Sequence, residues 1–136
     1  MLDRFLGVWV LDASKNNYTT STAPVSGTYT ISRLENDTLL FLMQWTDKDN
    51  QTHQARYVSC IDGKQYPYEN AQLAEFISSG MVQPDVMETL TFKEGRVNSR
   101  GVRKLSEDLA TLYVEQIMYL PDGQEVVNKS EYHKQL

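Results

Sequence analysis

Three arginines, Arg96, Arg100 and Arg103, fall in one β-prone segment, and a fourth, Arg56, stands in another beside Tyr57. A guanidinium carries five donors in a fixed fork and matches a carboxylate through two parallel hydrogen bonds. Inside a water-free barrel such a pair is stronger than on a surface. Side chains alternate across a strand, so Arg100 and Arg103 face opposite ways and at most one of them points inwards. The competing reading is a cross-strand ion pair with Glu115 or another acid, the commoner fate of a strand arginine. Arg56 carries the same two readings.

Aromatic residues form the second chemical set. Tyr29, Tyr57, Tyr113, Tyr119 and Tyr132 all fall on expected strands. Each joins an apolar ring to a hydroxyl, which suits a pocket that orients an amphiphile. As single residues they read equally as sheet packing. Trp9 is expected to pack across one end of a barrel, with lining of a cavity as the alternative. Taken together, the candidate ligand-binding residues are Trp9, Tyr29, Trp45, Arg56, Arg100, Arg103, Tyr113 and Tyr132.

Catalytic and metal chemistry find little support. The two histidines are His53 and His133, and no serine sits in a nucleophile elbow. A Ser-His-Asp set assembled in space stays open, because such groups need not be adjacent in sequence. Cys60 reads as a small buried hydrophobe, and a single cysteine forms no intrachain disulfide. Asp47-Lys48-Asp49-Asn50 resembles the start of an EF-hand loop. The sixth position is Thr52 rather than glycine and the twelfth is Val58 rather than glutamate, so that match fails. No catalytic residue, metal or cofactor is expected.

The elements that would position these residues are short strands set off by turn residues at regular spacing. They run Phe5 to Leu11, Gly27 to Leu34, Thr38 to Thr46, Thr52 to Ile61, Met87 to Lys93, Arg96 to Leu105, Leu109 to Leu120 and Gln124 to His133. A long polar loop spans Asp12 to Pro24. Asp62-Gly63, Glu94-Gly95 and Pro121-Asp122-Gly123 read as tight hairpin turns, because Gly and its Asn or Asp neighbours tolerate positive φ. In Asn70 to Met81, Leu73, Phe76, Ile77 and Met81 recur at helical spacing, with Asn70 as a cap. A strand from Phe76 to Val82 is the competing reading.

At 136 residues, 1–136 is a single domain able to bury roughly two thirds of its unfolded surface without a metal or disulfide. A sheet of eight or more strands must curl to protect its edges, which favours a barrel. Neither face of Leu109 to Leu120 is cleanly polar, as expected for a barrel whose interior holds solvent or ligand. The fold class is therefore all-β, a single antiparallel up-and-down β-barrel. The net charge of −5 removes the electrostatic drive for nucleic-acid binding. The longest apolar run, Leu39 to Met43, is too short for stable membrane insertion. No signal-peptide pattern opens the chain, so a cytoplasmic location is expected, or a periplasmic or secreted one if a leader was trimmed.

Phe5-Leu6-Gly7-Val8-Trp9 resembles the G-x-W opening of lipocalins and fatty-acid-binding proteins. Gly7 to Asp12, with Lys15 and Tyr18, is similar to the start of small bacterial lipocalin-like proteins whose functions are largely unassigned. The likeness continues through Asp62-Gly63-Lys64, Tyr66-Pro67, Gly101, Arg103, Ser106, Asp108 and Asp122-Gly123-Gln124, and closes with Tyr132 and Lys134. It implies a calycin-type barrel holding a small apolar ligand, and strand structure after Tyr66-Pro67, which selects the strand from Phe76 to Val82. Two features depart from related patterns. The Arg-x-Tyr pair that grips a carboxylate on the last strand of fatty-acid-binding proteins is here Ser130 and Tyr132. The G-x-W-x-G-x-G opening of haem-binding barrels is replaced by Val10, Leu11, Asp12 and Ala13 after the tryptophan.

The leading expectation is a non-catalytic binding protein for a small, mostly apolar molecule. A cavity enzyme of isomerase or lyase type would need an interior acid/base set, such as His53 or Glu115 near Arg100 or Tyr113. A barrel with a filled core would instead act through its surface, by association with a partner or with itself.

Overall fold

The alternating segments form strands that join edge to edge into one curled antiparallel sheet. The computed structural model describes residues 2–18, 23–68 and 72–135. Its strands are β1 (Gly7–Leu11), β2 (Asn17–Tyr18), β3 (Ser26–Glu35), β4 (Thr38–Thr46), β5 (Thr52–Cys60), β6 (Gln65–Pro67), β7 (Phe76–Gln83), β8 (Val86–Lys93), β9 (Arg96–Leu105), β10 (Thr111–Tyr119) and β11 (Glu125–Lys134). The sheet order is β5-β4-β3-β1-β11-β10-β9-β8-β7-β6, with β2 added beside β11. The only helical turns among the described residues are 3-10, at Leu2–Phe5 and Ala13–Lys15. No described helix is long and apolar enough to cross a membrane.

Two expectations change near the start of the chain, and the strand selected from Phe76 holds. Phe5 belongs to the first 3-10 turn and not to β1. Within the polar stretch from Asp12 to Pro24, Asn17 and Tyr18 pair with Lys129 and Asn128 as a two-residue strand. Phe76–Gln83 is strand throughout, paired with β8 from Phe76↔Phe92 to Gln83↔Val86. Its helical spacing is coincidental, because burial alternates through Ile77 and Ser79 with a period of two. The suggested cap, Asn70, lies outside the described residues.

Glu94 and Gly95 close the β8–β9 hairpin with φ of 53° and 76°. Positive φ at both central positions matches the right-handed twist of the flanking strands. Asp62-Gly63 does something other than make a hairpin. It ends β5 and carries the chain to β6, which pairs with β7 alone. Pro67 can sit in β6 because an edge strand leaves one backbone side without ladder partners. The barrel closes where β5 meets β7. There Ile61 and Ser79 form a parallel bridge, Gly63 N donates to Ser79 O at 2.7 Å, and the Ser59 and Ser79 hydroxyls lie 2.7 Å apart. These edges run parallel because the short β6 strand reverses the chain between them.

The core fills only one end. Phe5, Trp9, Ile31, Leu39, Phe41, Met87, Leu105 and Leu112 are all essentially inaccessible. The first 3-10 turn stoppers this end, and Trp9 Nε1 donates to Phe5 O at 2.9 Å. Each such side chain contributes about 1.5–3 kcal/mol of burial. On β10 the inward row starts at buried Leu112, passes Val114 and reaches Gln116 and Met118, which open onto space.

Candidate functional site

Above the apolar plug lies a cavity of about 810 Å³, open at the far end of the barrel. That volume falls within the range of small-molecule sites. Met43 and Trp45 from β4, Tyr57 from β5, Val114 and Met118 from β10 and Tyr132 from β11 form much of its wall. The arrangement follows from alternation: each of these positions shares its phase with a core residue further down the same strand or on the paired strand.

Arg103 forms the floor. On β9 it shares parity with buried Leu105, which turns it inwards, and it is 3% exposed. Its Nε donates to the Tyr29 hydroxyl at 2.7 Å. Its Nη2 donates to the Tyr57 hydroxyl and, at 2.9 Å, to Thr89 Oγ1. The guanidinium carbon lies 4.6 Å from the centre of the Phe41 ring, a cation–π contact. Phe41 stacks on Tyr57 at 4.8 Å, and Tyr29 meets Tyr132 edge-on at 5.6 Å. A ladder of hydroxyls continues from Thr89 to Ser79 at 2.9 Å and on to Ser59, linking the cavity floor to the barrel seam.

The charge of this group is uncompensated. Among the described residues no carboxylate forms an ion pair with Arg103. Its Nη1 is buried and, among the described residues, has no hydrogen-bond partner. Burial pushes the Tyr29 phenol far above its ordinary value, outweighing the pull of the adjacent guanidinium, so it keeps its proton. Burial works against the charge on Arg103, and the phenol oxygens around it offset that loss, so the guanidinium stays charged. A buried, unpaired cation costs several kcal/mol, and an anion at Nη1 would remove that cost.

At the mouth, Trp45 stacks on His53 with ring centres 5.4 Å apart. His53 Nε2 lies 2.8 Å from Asp47 Oδ2, and that contact holds the Asp47 carboxyl below its ordinary range.

Of the sequence candidates, the fold brings Tyr29, Trp45, Arg56, Arg103 and Tyr132 to the cavity. Arg56 borders its side from the edge strand β5. Trp9 lies beneath, inside the plug. Arg100 faces outwards, where its Nε meets Glu88 Oε2 at 2.5 Å, because three residues from Arg103 is the opposite phase. Tyr113 is also outside, 41% exposed, on the face opposite Leu112 and Val114. The cross-strand ion pair thus belongs to Arg100, with Glu88 rather than Glu115 as its partner. Glu115 pairs in register with Val102 on that outer face, so the acid/base set of Glu115, Arg100 and Tyr113 does not meet inside. Cys60 is free and half-buried rather than part of the core. Among the described residues no three His, Cys, Asp or Glu groups converge to hold a metal.

Thr89, Phe41 and Gln116 were not singled out by sequence, and Gly101 entered only as a point of likeness. The available signal was parity. Once Leu105 is assigned inwards, Arg103 and Gly101 follow, and Leu112 carries Gln116 with it.

No protein-family model matches the sequence, and no curated protein is significantly similar to it. Solved structures are similar in fold. The fluorescent protein UnaG superposes with a TM-score of 0.62 at 14% identity, covering 99% of this chain and 100% of that one. Zebrafish ileal bile acid-binding protein, complexed with cholic acid, gives 0.58 at 11%, covering 97% and 99%. Apo lipid binding protein 8 of Caenorhabditis elegans gives 0.58 at 13%, covering 99% and 98%. The fold is that of the fatty-acid-binding-protein-like barrels. β11 carries Ser130 rather than an arginine, and the arginine at the cavity floor is Arg103 on β9, two strands away.

Proposed function

We propose that this protein is a non-catalytic binding protein for a small, mostly apolar molecule bearing one acidic group, held inside the barrel. The observation that carries the reading is the buried Arg103 Nη1, without a partner, at the floor of an aromatic-walled cavity. An acidic head on Nη1 completes the guanidinium's hydrogen bonds, while the tail lies against Met43, Trp45, Val114, Met118 and Tyr132. The neighbours named for bile acid and lipid binding lend this reading the precedent of their fold.

Displacement of a hydrophobic dye by palmitate and by hexadecanol tests it, with native mass spectrometry to count sites. One site per chain is expected, with palmitate at least about tenfold tighter than the alcohol. Arg103→Met should remove that preference and leave alcohol binding within a few-fold. Equal binding of acid and alcohol by the unaltered protein, or no binding of either, would overturn the reading.

A further inference from the structure

The cavity wall beside Arg103 holds a second polar group whose position depends on a missing side chain. Gly101 is buried on β9, in register with Gln116 on β10 and Thr89 on β8. Its φ is not positive, so the backbone does not require glycine there. Space does. A Cβ at this position would lie 2.9 Å from Gln116 Oε1 and 3.9 Å from Arg103 Nη2. Real Cβ atoms do not approach an oxygen so closely. The Gln116 amide therefore occupies the notch that a side chain at 101 would fill, near the guanidinium.

Gln116 lines the cavity, and among the described residues its amide makes no hydrogen bond. It offers one acceptor and two donors to whatever occupies the space above Arg103. A plain fatty acid seated on Nη1 would lay methylene groups against that amide, remove its water and return no hydrogen bond. A secondary amide one carbon from the carboxylate would return one of those bonds, its N–H donating to Oε1.

We propose that Gln116, seated in the Gly101 notch beside Arg103, reads an amide next to the ligand's acid, and that the ligand class is N-acyl amino acids. The inference rests on the acidic-ligand reading above and narrows it. The head group occupies the guanidinium and glutamine together, and the acyl chain runs towards Met43 and Met118 and the open mouth.

Competition binding with three probes of one chain length tests this: palmitate, N-palmitoylglycine and N-palmitoylsarcosine. The sarcosine probe keeps the carboxylate and the carbonyl but lacks the amide N–H. N-palmitoylglycine is expected to bind roughly tenfold or more tighter than palmitate, with the sarcosine probe losing most of that gain. Gln116→Leu should abolish the preference of the site for N-palmitoylglycine over palmitate. Gly101→Ala should do the same by displacing the amide. Because the probe series needs only the unaltered chain, poor folding of either variant leaves the test intact. Equal binding of the glycine and sarcosine probes, or of N-palmitoylglycine and palmitate, would overturn this inference and leave the acidic-ligand reading standing. Failure of all three acids to bind would overturn both.

Discussion

Trp9 and Arg103 illustrate how two large, inward-facing side chains of one barrel divide structure from function. Trp9 is fully buried against Phe5, its indole nitrogen bonded to the Phe5 carbonyl, and it touches none of the cavity. Trp9→Phe removes that hydrogen bond and leaves a small void, so stability should fall by about 1–3 kcal/mol. Urea denaturation reads the loss, and dye affinity should stay within a few-fold of the original. A large fall in affinity without a fall in stability would place Trp9 in the site. Arg103 should behave in the opposite way. Arg103→Met trades the desolvation of a buried charge against the lost hydrogen bonds to Tyr29, Tyr57 and Thr89, so the midpoint of unfolding is expected to change little while acid selectivity is lost.

At the scale of single elements, turn chemistry and end contacts fix the strands. Gly95 has a φ of 76°, in which a Cβ is strained although no atom stands within 4 Å of it. Gly95→Ala should therefore cost about 1 kcal/mol through the backbone alone, measurable by thermal unfolding. The exit of β1 is tied differently. Asp12 accepts hydrogen bonds from the Ser14 hydroxyl at 2.6 Å and the Ser14 amide at 3.1 Å, and meets His133 Nε2 at 3.0 Å. The Ser14 hydroxyl and then His133 hold its carboxyl at about 2. The folded value lies below the unfolded one of about 3.9, so the charged form is favoured by folding. Its stabilisation is complete above the unfolded value and disappears as pH falls through about 2. An NMR titration should find the Asp12 carboxyl titrating well below a free aspartate, and Ser14→Ala should raise its midpoint.

At the scale of the whole molecule, one end is plugged, the other is open, and a seam joins β5 to β7. Occupancy of the cavity stabilises the folded barrel by mass action. A ligand at a hundred times its dissociation constant should add about 2.7 kcal/mol to unfolding. The seam is thinner than any ladder, held by the Ile61–Ser79 bridge, the Gly63–Ser79 bond and the Ser59–Ser79 hydroxyl pair. Hydrogen exchange at Gly63 should therefore be faster than at mid-strand amides of β3 and β4, and Ser79→Ala should speed it further. Exchange at Gly63 as slow as in β3 would show the seam to be as firm as the sheet.

The sequence by itself determined the strands from β3 to β5 and from β8 to β11, because period-two alternation and Gly-containing turns are local properties. It also determined that Arg100 and Arg103 point opposite ways, since alternation forbids anything else. It did not determine which of them is inside. Parity is relative, and only packing of Leu105, Leu112 and Met87 into the plug assigns a sign to it. The two-residue strand at Asn17–Tyr18 and the parallel seam at Ile61 escaped local reading for the same reason. Each exists only because a distant strand supplies its partner. The convergence of Tyr29, Tyr57, Thr89, Gln116 and Arg103 lies furthest from sequence, for five strands contribute one residue each. Curling the sheet brings them to one cavity floor, and that closure is decided by the edges of the sheet rather than by any segment within it.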